Sequence, residues 1–339
     1  MSDTEPIRPA PARVLPVASQ RVAFLCAAAA SIIVLPLLIT DTYWRTNLIV
    51  CALNVMLAIG LDFVLGYAGQ LNLGQSAFYG LGAYASTLLI TRLGMPFWLA
   101  FATAVTFACL AGVVLSLFAM RLRGHYLAIA SLGFAVITYQ VLLNWISLTQ
   151  GPLGIYAIPP PPAFALSGEA VIDFHDLRNL FYLVAGFALA GYVLLDQLIR
   201  SPIGETLAAI REDEVSAASL GINCGAWKVF AFGVGAAFAG AAGCFYPGLV
   251  GTLVPDAFFI TESFTILAMV VVGGMGTLMG PVCGAILLTV LPELLRGIGD
   301  LRLVVYGIAL VIVVLFMPGG VVEAVRLASA RLRRIAEGT

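Results

Sequence analysis

Uninterrupted apolar runs recur along almost the whole chain, and they require a lipid environment. One of them, residues 97–120, extends for 24 residues without a charged side chain. An α-helix needs about 20 apolar residues to cross the ~30 Å hydrocarbon core of a bilayer. Charged residues make up only 10% of the chain, against roughly 25% in soluble domains. The chain is therefore expected to be an integral membrane protein.

We predict an all-α polytopic membrane protein with about ten transmembrane or re-entrant helices. The ten apolar segments are 22–39, 47–65, 74–91, 97–120, 126–145, 180–199, 229–250, 264–272, 282–295 and 304–317. The last three are shorter than a spanning helix requires and lie beside glycines, which favours broken or re-entrant helices. Eight or nine full crossings are expected. The segment at 264–272 would span only if it began near Ala257 and included Glu262.

The apolar segments divide the chain into three regions. Residues 1–21 are rich in proline and polar side chains and are predicted to form a disordered cytoplasmic arm. Residues 22–320 form the membrane domain, with an external loop at 146–178 and a charged cytoplasmic loop at 200–228. Residues 321–339 are a basic cytoplasmic tail. The first apolar segment is interpreted as an uncleaved span because no small-residue cleavage site follows it.

The distribution of basic residues predicts the orientation in the membrane. Ten segments with both termini in the cytoplasm place 12 of the 17 basic residues on the cytoplasmic side, where such residues are enriched in membrane proteins. Five segments in each half would give the two halves opposite orientations, which is an inverted repeat. Its support in the sequence is a shared spacing: Leu73 with Ala77-Phe78, and Leu253 with Ala257-Phe258.

The cytoplasmic loop has signals for one helix or two short ones. Ser201 is predicted to be the N-cap and Pro202 the first helical residue, while Gly221 is predicted to lie just past the helix end. Apolar side chains fall at helical spacing at Ile203, Leu207 and Ile210. This stripe would contact either a partner protein or the membrane domain itself, and the pattern alone favours neither.

Composition argues against several classes of function. The two histidines, His125 and His175, are too few for a histidine-based metal site or a serine hydrolase triad. The six cysteines have no CxxC spacing and read as small apolar residues. A net charge of −1 argues against nucleic acid as a partner.

The stretch 66–76, GYAGQLNLGQS, is polar in apolar surroundings. Its second half has the spacing of a phosphate-binding loop, but Gln75 stands where that loop needs a lysine. Lys228 is the only lysine in the chain, so the chain cannot carry this ATPase motif. We expect that it binds no cofactor and is not an enzyme. Polar side chains in lipid need partners, so those of this stretch would face either a cavity, which is favoured, or another helix. They are Gln70, Asn72, Gln75 and Ser76.

Asp62 and Glu262 are the candidate carboxylates within the membrane. Each lies near the end of a predicted segment. A position at the membrane–water interface is favoured because a charge at the centre of the bilayer is costly. Proton-coupled transport would need at least one of them to be central.

Six motifs resemble those of LivM-type permease subunits of branched-chain amino acid ABC importers. They are GYAGQLNLGQSAFYGLGAY (66–84), RGHYLAIASLGF (123–134), TQGPLGI (149–155), SPIGETLAAIREDEVSAASLGI (201–222), VVGGMGTLMGP (271–281) and FMPGG (316–320). The resemblance covers roughly residues 45–320. The chain departs from the family pattern at His125, Gln150 and Glu205, where an acidic residue, glycine and arginine are common.

The resemblance implies a multi-pass subunit of the bacterial inner membrane that translocates leucine, isoleucine or valine by alternating access. Its implied partners are a LivH-type permease subunit, two cytoplasmic ATPases that use ATP, a periplasmic solute-binding protein and the lipid bilayer. The loop at 146–178 would either dock an external partner or be a passive connector.

The resemblance also implies the residues that couple to the ATPase, which are Ser201, Pro202, Gly204, Leu207, Ile210, Arg211, Glu212, Glu214, Ala217 and Gly221. The polar character of a second set leads to the hypothesis that its members line or border the translocation path. They are Gln70, Asn72, Gln75, Ser76 and Glu262. The alternatives are an ABC permease for urea, another amino acid or a small amide, and an ion-coupled secondary transporter or channel.

Overall fold

The computed structural model describes residues 17–119, 125–166, 169–298, 307–308, 311 and 319–322. These residues are mostly helical. The α-helices are α1 (Val17–Leu38), α2 (Thr42–Asp62), α3 (Gln75–Leu93), α4 (Phe97–Ala119), α5 (His125–Asn144), α6 (Ile146–Thr149), α7 (Leu177–Arg200), α8 (Pro202–Glu212), α9 (Glu214–Ser219), α10 (Cys224–Val250), α11 (Ile260–Gly273) and α12 (Met279–Leu294). A π-helical turn, Phe63–Tyr67, continues α2, and 3-10 turns lie at Gly151–Leu153, Pro255–Phe258 and Leu295–Ile298.

Seven of the described helical stretches are long and apolar enough to cross a membrane. They are Thr42–Tyr67, Phe97–Phe118, Tyr126–Asn144, Leu177–Arg200, Cys224–Val250, Pro255–Gly273 and Met279–Gly297. Helix α3 has 19 residues but is more polar, since it begins with Gln75 and Ser76 and also buries Ser86 and Thr87. The apolar part of α1 is shorter, at Cys26–Leu38.

Several predicted boundaries need correction. The segments at 264–272 and 282–295 belong to stretches of 19 residues each, so neither is too short to cross, and Glu262 lies within the first of them. Helix α1 begins at Val17, inside the arm predicted to be disordered. Residues 1–16, most of the tenth segment at 304–317 and the tail from 323 onward lie outside the described residues.

Helices α2 and α10 form the centre of the bundle, and small residues let their neighbours approach them closely. A Cβ atom added to Gly82 of α3 would overlap the Gly240 carbonyl oxygen of α10, and one added to Gly243 would overlap the Tyr79 carbonyl oxygen. On the other side of α10, a Cβ at Gly235 would lie 2.9 Å from the Gly60 carbonyl oxygen. Close backbone packing of this kind holds helices together in lipid.

Short strands in the external loop are the exception to the all-helical prediction. Strand β1 (Ile155–Tyr156) pairs antiparallel with β4 (Thr252–Leu253), which follows α10, while β2 (Phe164–Leu166) and β3 (Glu169–Ile172) form a hairpin. Three prolines of the same loop, Pro159, Pro160 and Pro161, lie against Gly248 of α10. The loop is thus attached to the bundle.

Candidate functional site

The loop predicted to be cytoplasmic, residues 200–228, contains two helices, α8 and α9, that meet at Asp213. The Ser201 hydroxyl accepts from the Ile203 amide at 3.3 Å and Pro202 opens α8, as the sequence predicts. Asp213 has an extended backbone and ends α8, while its carboxylate accepts from the Val215 amide at 2.9 Å to begin α9. One aspartate therefore makes the corner between the two helices, because its side chain caps the second one.

The end of α9 is closed by Gly221, as predicted. Its φ of +85° is left-handed, a conformation that glycine adopts without strain. The Ile222 amide donates to the Ala217 carbonyl at 3.2 Å and the Gly221 amide donates to the Ala218 carbonyl at 3.0 Å, which is the Schellman arrangement. At the start of the same helix, Glu214 forms an ion pair of 2.7 Å with Lys228 of α10.

The apolar stripe of α8 packs against the protein's own bundle. Leu207 is fully buried in a cluster with Phe63 and Leu195, and Ile203 packs against its edge. Ile210 is 4% exposed and packs with Ala217. Of the two contacts that the sequence allowed, the one with the membrane domain is therefore observed. Gly204 lies on the same buried side of α8. A Cβ at this position would overlap the Ile199 carbonyl group, so glycine is needed there.

The opposite side of this helix pair is open to water. The exposed predicted coupling residues are Pro202, Arg211, Glu212 and Gly221. Two apolar residues for which the sequence predicted no role are also exposed, Val215 at 67% and Leu220 at 79%. Apolar side chains at the tip of a charged cytoplasmic loop are the signal that could have identified them.

Arg211 of α8 reaches from the loop to the end of α2. Its guanidinium group donates to the Gly66 carbonyl within the π-helical turn. The aliphatic part of its side chain covers Gly69, where an added Cβ would lie 2.9 Å from Arg211 Cγ. Gly69 has a left-handed φ of +66° and begins the non-helical residues that lead to α3.

Asp62 lies beside this contact and is fully buried. One carboxylate oxygen accepts from the Gly276 amide at 2.9 Å, in the turn between α11 and α12. Asp62 is the last residue of α2, near the end of its segment as predicted, and the protein encloses it. Its position at the membrane interface stays a prediction. Glu262 is half-buried in the first turn of α11.

Three of the four polar residues predicted to border a path are held by hydrogen bonds. The Asn72 side chain donates to the Gln75 side chain at 3.1 Å and accepts from the Gly74 amide at 2.8 Å. The Gln75 amide group donates to the carbonyls of Leu57 and Gly235, each at 3.3 Å. These contacts tie the polar stretch to α2 and α10, which is the structural role that the sequence left open.

Helix α3 begins deep within the bundle because of these bonds. Leu57 lies ten residues before Tyr67, the last residue of its span, which is about 15 Å at 1.5 Å per residue. Residues 69–74 are non-helical over this distance. Irregular backbone is tolerated at membrane depth only where protein or a water-filled cavity surrounds it.

Ser263 of α11 caps the beginning of α3. Its hydroxyl accepts from the Ser76 amide at 2.9 Å and donates to the Ser76 hydroxyl at 2.8 Å. The N-cap of α3 is Gly74, which has no side chain to do this. The amide nitrogen of Gln70 is buried and has no hydrogen-bond partner among the described residues. Of the three amide side chains in this stretch, that of Gln70 is therefore the one whose nitrogen donates no hydrogen bond within the described part of the chain.

The described residues contain no group of three or more His, Cys, Asp or Glu side chains placed to bind a metal ion.

Comparison with known proteins gives one family. The model of that family, described as the permease component of branched-chain amino acid transport systems, matches residues 45–314. The permease protein LivM of Escherichia coli is 36% identical over 80% of this chain and 68% of its own length, and that of Salmonella typhimurium is 35% identical over the same shares. LivH of Escherichia coli is 26% identical over 78% of this chain and 90% of its own length. No solved structure matches the chain.

Proposed function

Since the chain belongs to the family of permease components of branched-chain amino acid transport systems, we propose that it is the LivM-type subunit of an ATP-driven importer. The relatives are named as high-affinity permease proteins for branched-chain amino acids. On this proposal the chain carries leucine, isoleucine and valine across the bacterial inner membrane. It contributes no ATPase of its own.

The observation that carries this proposal is the two-sided cytoplasmic helix pair. Its inner side is fixed to the bundle by Leu207 and Ile210, and its outer side presents Val215 and Leu220 to water. Exposed apolar side chains on a polar loop favour a protein partner. We assign that partner as one of two cytoplasmic ATPases, with Pro202, Glu212 and Gly221 at the contact.

Two further partners are proposed, a second permease subunit and a solute-binding protein. The chain is similar to both LivM and LivH proteins, and a second permease subunit of the LivH type would complete the transmembrane pathway. A periplasmic solute-binding protein would deliver the amino acid. The attached external loop at 146–178 is the surface that we assign to that protein.

Alternating access is the proposed mechanism. Helices α3 and α11 begin beside each other at Ser76 and Ser263. Non-helical residues precede α3 and a 3-10 turn, Pro255–Phe258, precedes α11, as in transporters with broken helices. The ten segments would form two halves of five with opposite orientations, and both termini would lie in the cytoplasm. The two halves would then be related by the symmetry of an inverted repeat.

The translocation path is proposed to run beside the polar residues at this junction. They are Gln70, Asn72, Gln75, Ser76 and Glu262. The substrates are zwitterions with aliphatic side chains, and a mainly apolar path with a few amides and hydroxyls suits them. The hydrogen bonds of Asn72, Gln75 and Ser76 would then have to rearrange as the path opens.

Uptake in reconstituted vesicles tests the function. The complete complex is placed in proteoliposomes, and labelled leucine, isoleucine and valine are supplied with the binding protein, with and without ATP at the ATPase side. Uptake that requires both ATP and the binding protein is the expected result. Uptake driven by an ion gradient without ATP would overturn the proposal, and ATP-dependent uptake of urea or another amino acid alone would overturn the substrate assignment.

A further inference from the structure

Three elements meet where α8 touches the membrane domain. Arg211 comes from α8, Gly66 from the end of α2, and Gly276 from the turn between α11 and α12. The Arg211 guanidinium donates to the Gly66 carbonyl, and an added Cβ at Gly276 would lie 2.9 Å from the same guanidinium nitrogen. Arg211 therefore contacts two separate parts of the bundle at once.

The glycines at the two contact points, Gly66 and Gly276, leave room for the buried carboxylate of Asp62. A Cβ at Gly66 would overlap a carboxylate oxygen of Asp62, and that oxygen accepts from the Gly276 amide at 2.9 Å. The second carboxylate oxygen of Asp62 is buried without a hydrogen-bond partner among the described residues. A buried carboxylate is stable only when a nearby positive charge or donor compensates it. Arg211 is the cation that contacts the same two glycines.

The position of Arg211 also connects α8 to the polar stretch. The first carbons of its side chain lie over Gly69, one residue before Gln70. Movement of α8 would therefore displace the backbone that leads to Asn72 and Gln75. The side chain of an arginine suits this role because its planar guanidinium is rigid and permanently charged.

We propose that Arg211 is a positioning residue that transmits the movement of α8 to the broken start of α3, with Asp62 as its fixed counter-charge. This rests on the proposed function and deepens it, because Arg211 then acts towards the translocation path and not as a contact for the ATPase. Asp62 keeps the guanidinium in place while α8 moves, and the 66–69 backbone follows.

The test measures transport and ATP hydrolysis together in proteoliposomes that hold the complete complex. In R211Q the ATPases still bind and hydrolyse ATP, but substrate moved per ATP falls about tenfold, within the 5–150-fold range of typical coupling between sites. D62N keeps an oxygen for the Gly276 amide and loses only the charge, so a smaller loss in the same direction is expected.

The matched control is Arg45→Gln. Arg45 also donates to a main-chain carbonyl, that of Ile39, at 2.9 Å, but at the opposite end of the span that begins with α2. Its variant is expected to keep the wild-type ratio of transport to ATP hydrolysis.

A double variant separates coupling from folding. D62N/R211Q removes both charges, so it should restore the amount of assembled complex if R211Q lowers it, while the transport ratio stays low. A wild-type ratio in R211Q would overturn the inference, and so would recovery of the ratio in the double variant. Absence of ATP-dependent uptake in the wild type would instead overturn the proposed function.

Discussion

The Ser263 hydroxyl lies 2.9 Å from the Ser76 amide nitrogen and 2.8 Å from the Ser76 hydroxyl, so one side chain of α11 caps the first turn of α3. Both residues are about 1% exposed or less. Helix α3 thus depends for its start on a residue 187 positions away.

Ser263→Ala is expected to destabilise the protein measurably. The variant leaves the buried Ser76 amide without a partner, which costs about 1–3 kcal/mol. The measurement is the thermal unfolding midpoint of the purified protein in detergent. Thr106→Ala is the control, because the exposed Thr106 hydroxyl bonds only to its own helix, at the Ala102 carbonyl. Equal midpoints for the two variants would contradict the capping role.

Gly82→Ala and Gly243→Ala are expected to separate α3 from α10. Each added methyl would overlap a backbone carbonyl of the facing helix, and overpacking of this kind costs about 1–3 kcal/mol. Gly186→Ala in α7 is the matched control, since its Cβ meets nothing within 4 Å. The readout is the fraction of protein that remains monodisperse after heating in detergent. If all three variants behaved alike, close packing would not hold these helices together.

Val215→Ser and Leu220→Ser are expected to weaken the contact with the ATPase without unfolding the permease. We expect Val215 and Leu220 to be among the minority of interface side chains whose truncation costs more than about 1 kcal/mol, so co-purification of the ATPase should fall about fivefold or more for each variant. The permease itself should keep its unfolding midpoint.

Leu207→Ser provides the contrast for that experiment. Leu207 is fully buried within the protein, so this variant should lower the unfolding midpoint of the permease even when no ATPase is present. A loss of ATPase binding by Leu207→Ser at an unchanged midpoint would mean that the stripe, and not the tip, contacts the partner.

The stability of the corner between α8 and α9 at Asp213 is expected to depend on pH. The Ser216 hydroxyl and the amides of Val215 and Ser216 donate to its carboxylate and hold its pKa below the usual value of 3.8. A carboxylate with a lowered pKa stabilises the folded state above 3.8, and this contribution disappears as the pH falls through the lowered value.

Hydrogen exchange at individual amides measures this effect. Protection of the Val215 amide relative to the Ile203 amide should fall as the pH is lowered below 3.8. The Ile203 amide is capped by the Ser201 hydroxyl, which does not titrate in this range. Asp213→Asn should keep the cap and lose the pH dependence. A wild-type ratio that is constant with pH would show that the charge does not matter.

Local signals predicted much of this structure. Ser201, Pro202 and Gly221 were each identified from the residues beside them, because caps and helix ends depend on the nearest backbone groups. The helical spacing of Leu207 and Ile210 showed that one face is covered, but the pattern carries no information about what covers it.

Contacts between distant residues could not be predicted in the same way. Ser263 is an ordinary serine in an apolar segment, and nothing near it indicates that it caps α3. Asp62 was predicted at a segment end, but its enclosure depends on Gly276, 214 residues away. The polar side chains of the stretch 66–76 favour a cavity on sequence grounds, but the bonds of Gln75 to Leu57 and Gly235 depend on how three helices pack, which the local sequence does not show.

The helix pair α8 and α9 is attached to the bundle on one side and open on the other, and the two sides are free to change at different rates during evolution. On the proposed function, substitutions at Val215 or Leu220 would alter which ATPase fits without disturbing the membrane domain. Substitutions beneath, at Leu207 or Gly204, require compensating changes within the same chain. Related importers could therefore exchange their ATPases by altering a few residues at the tip of this loop.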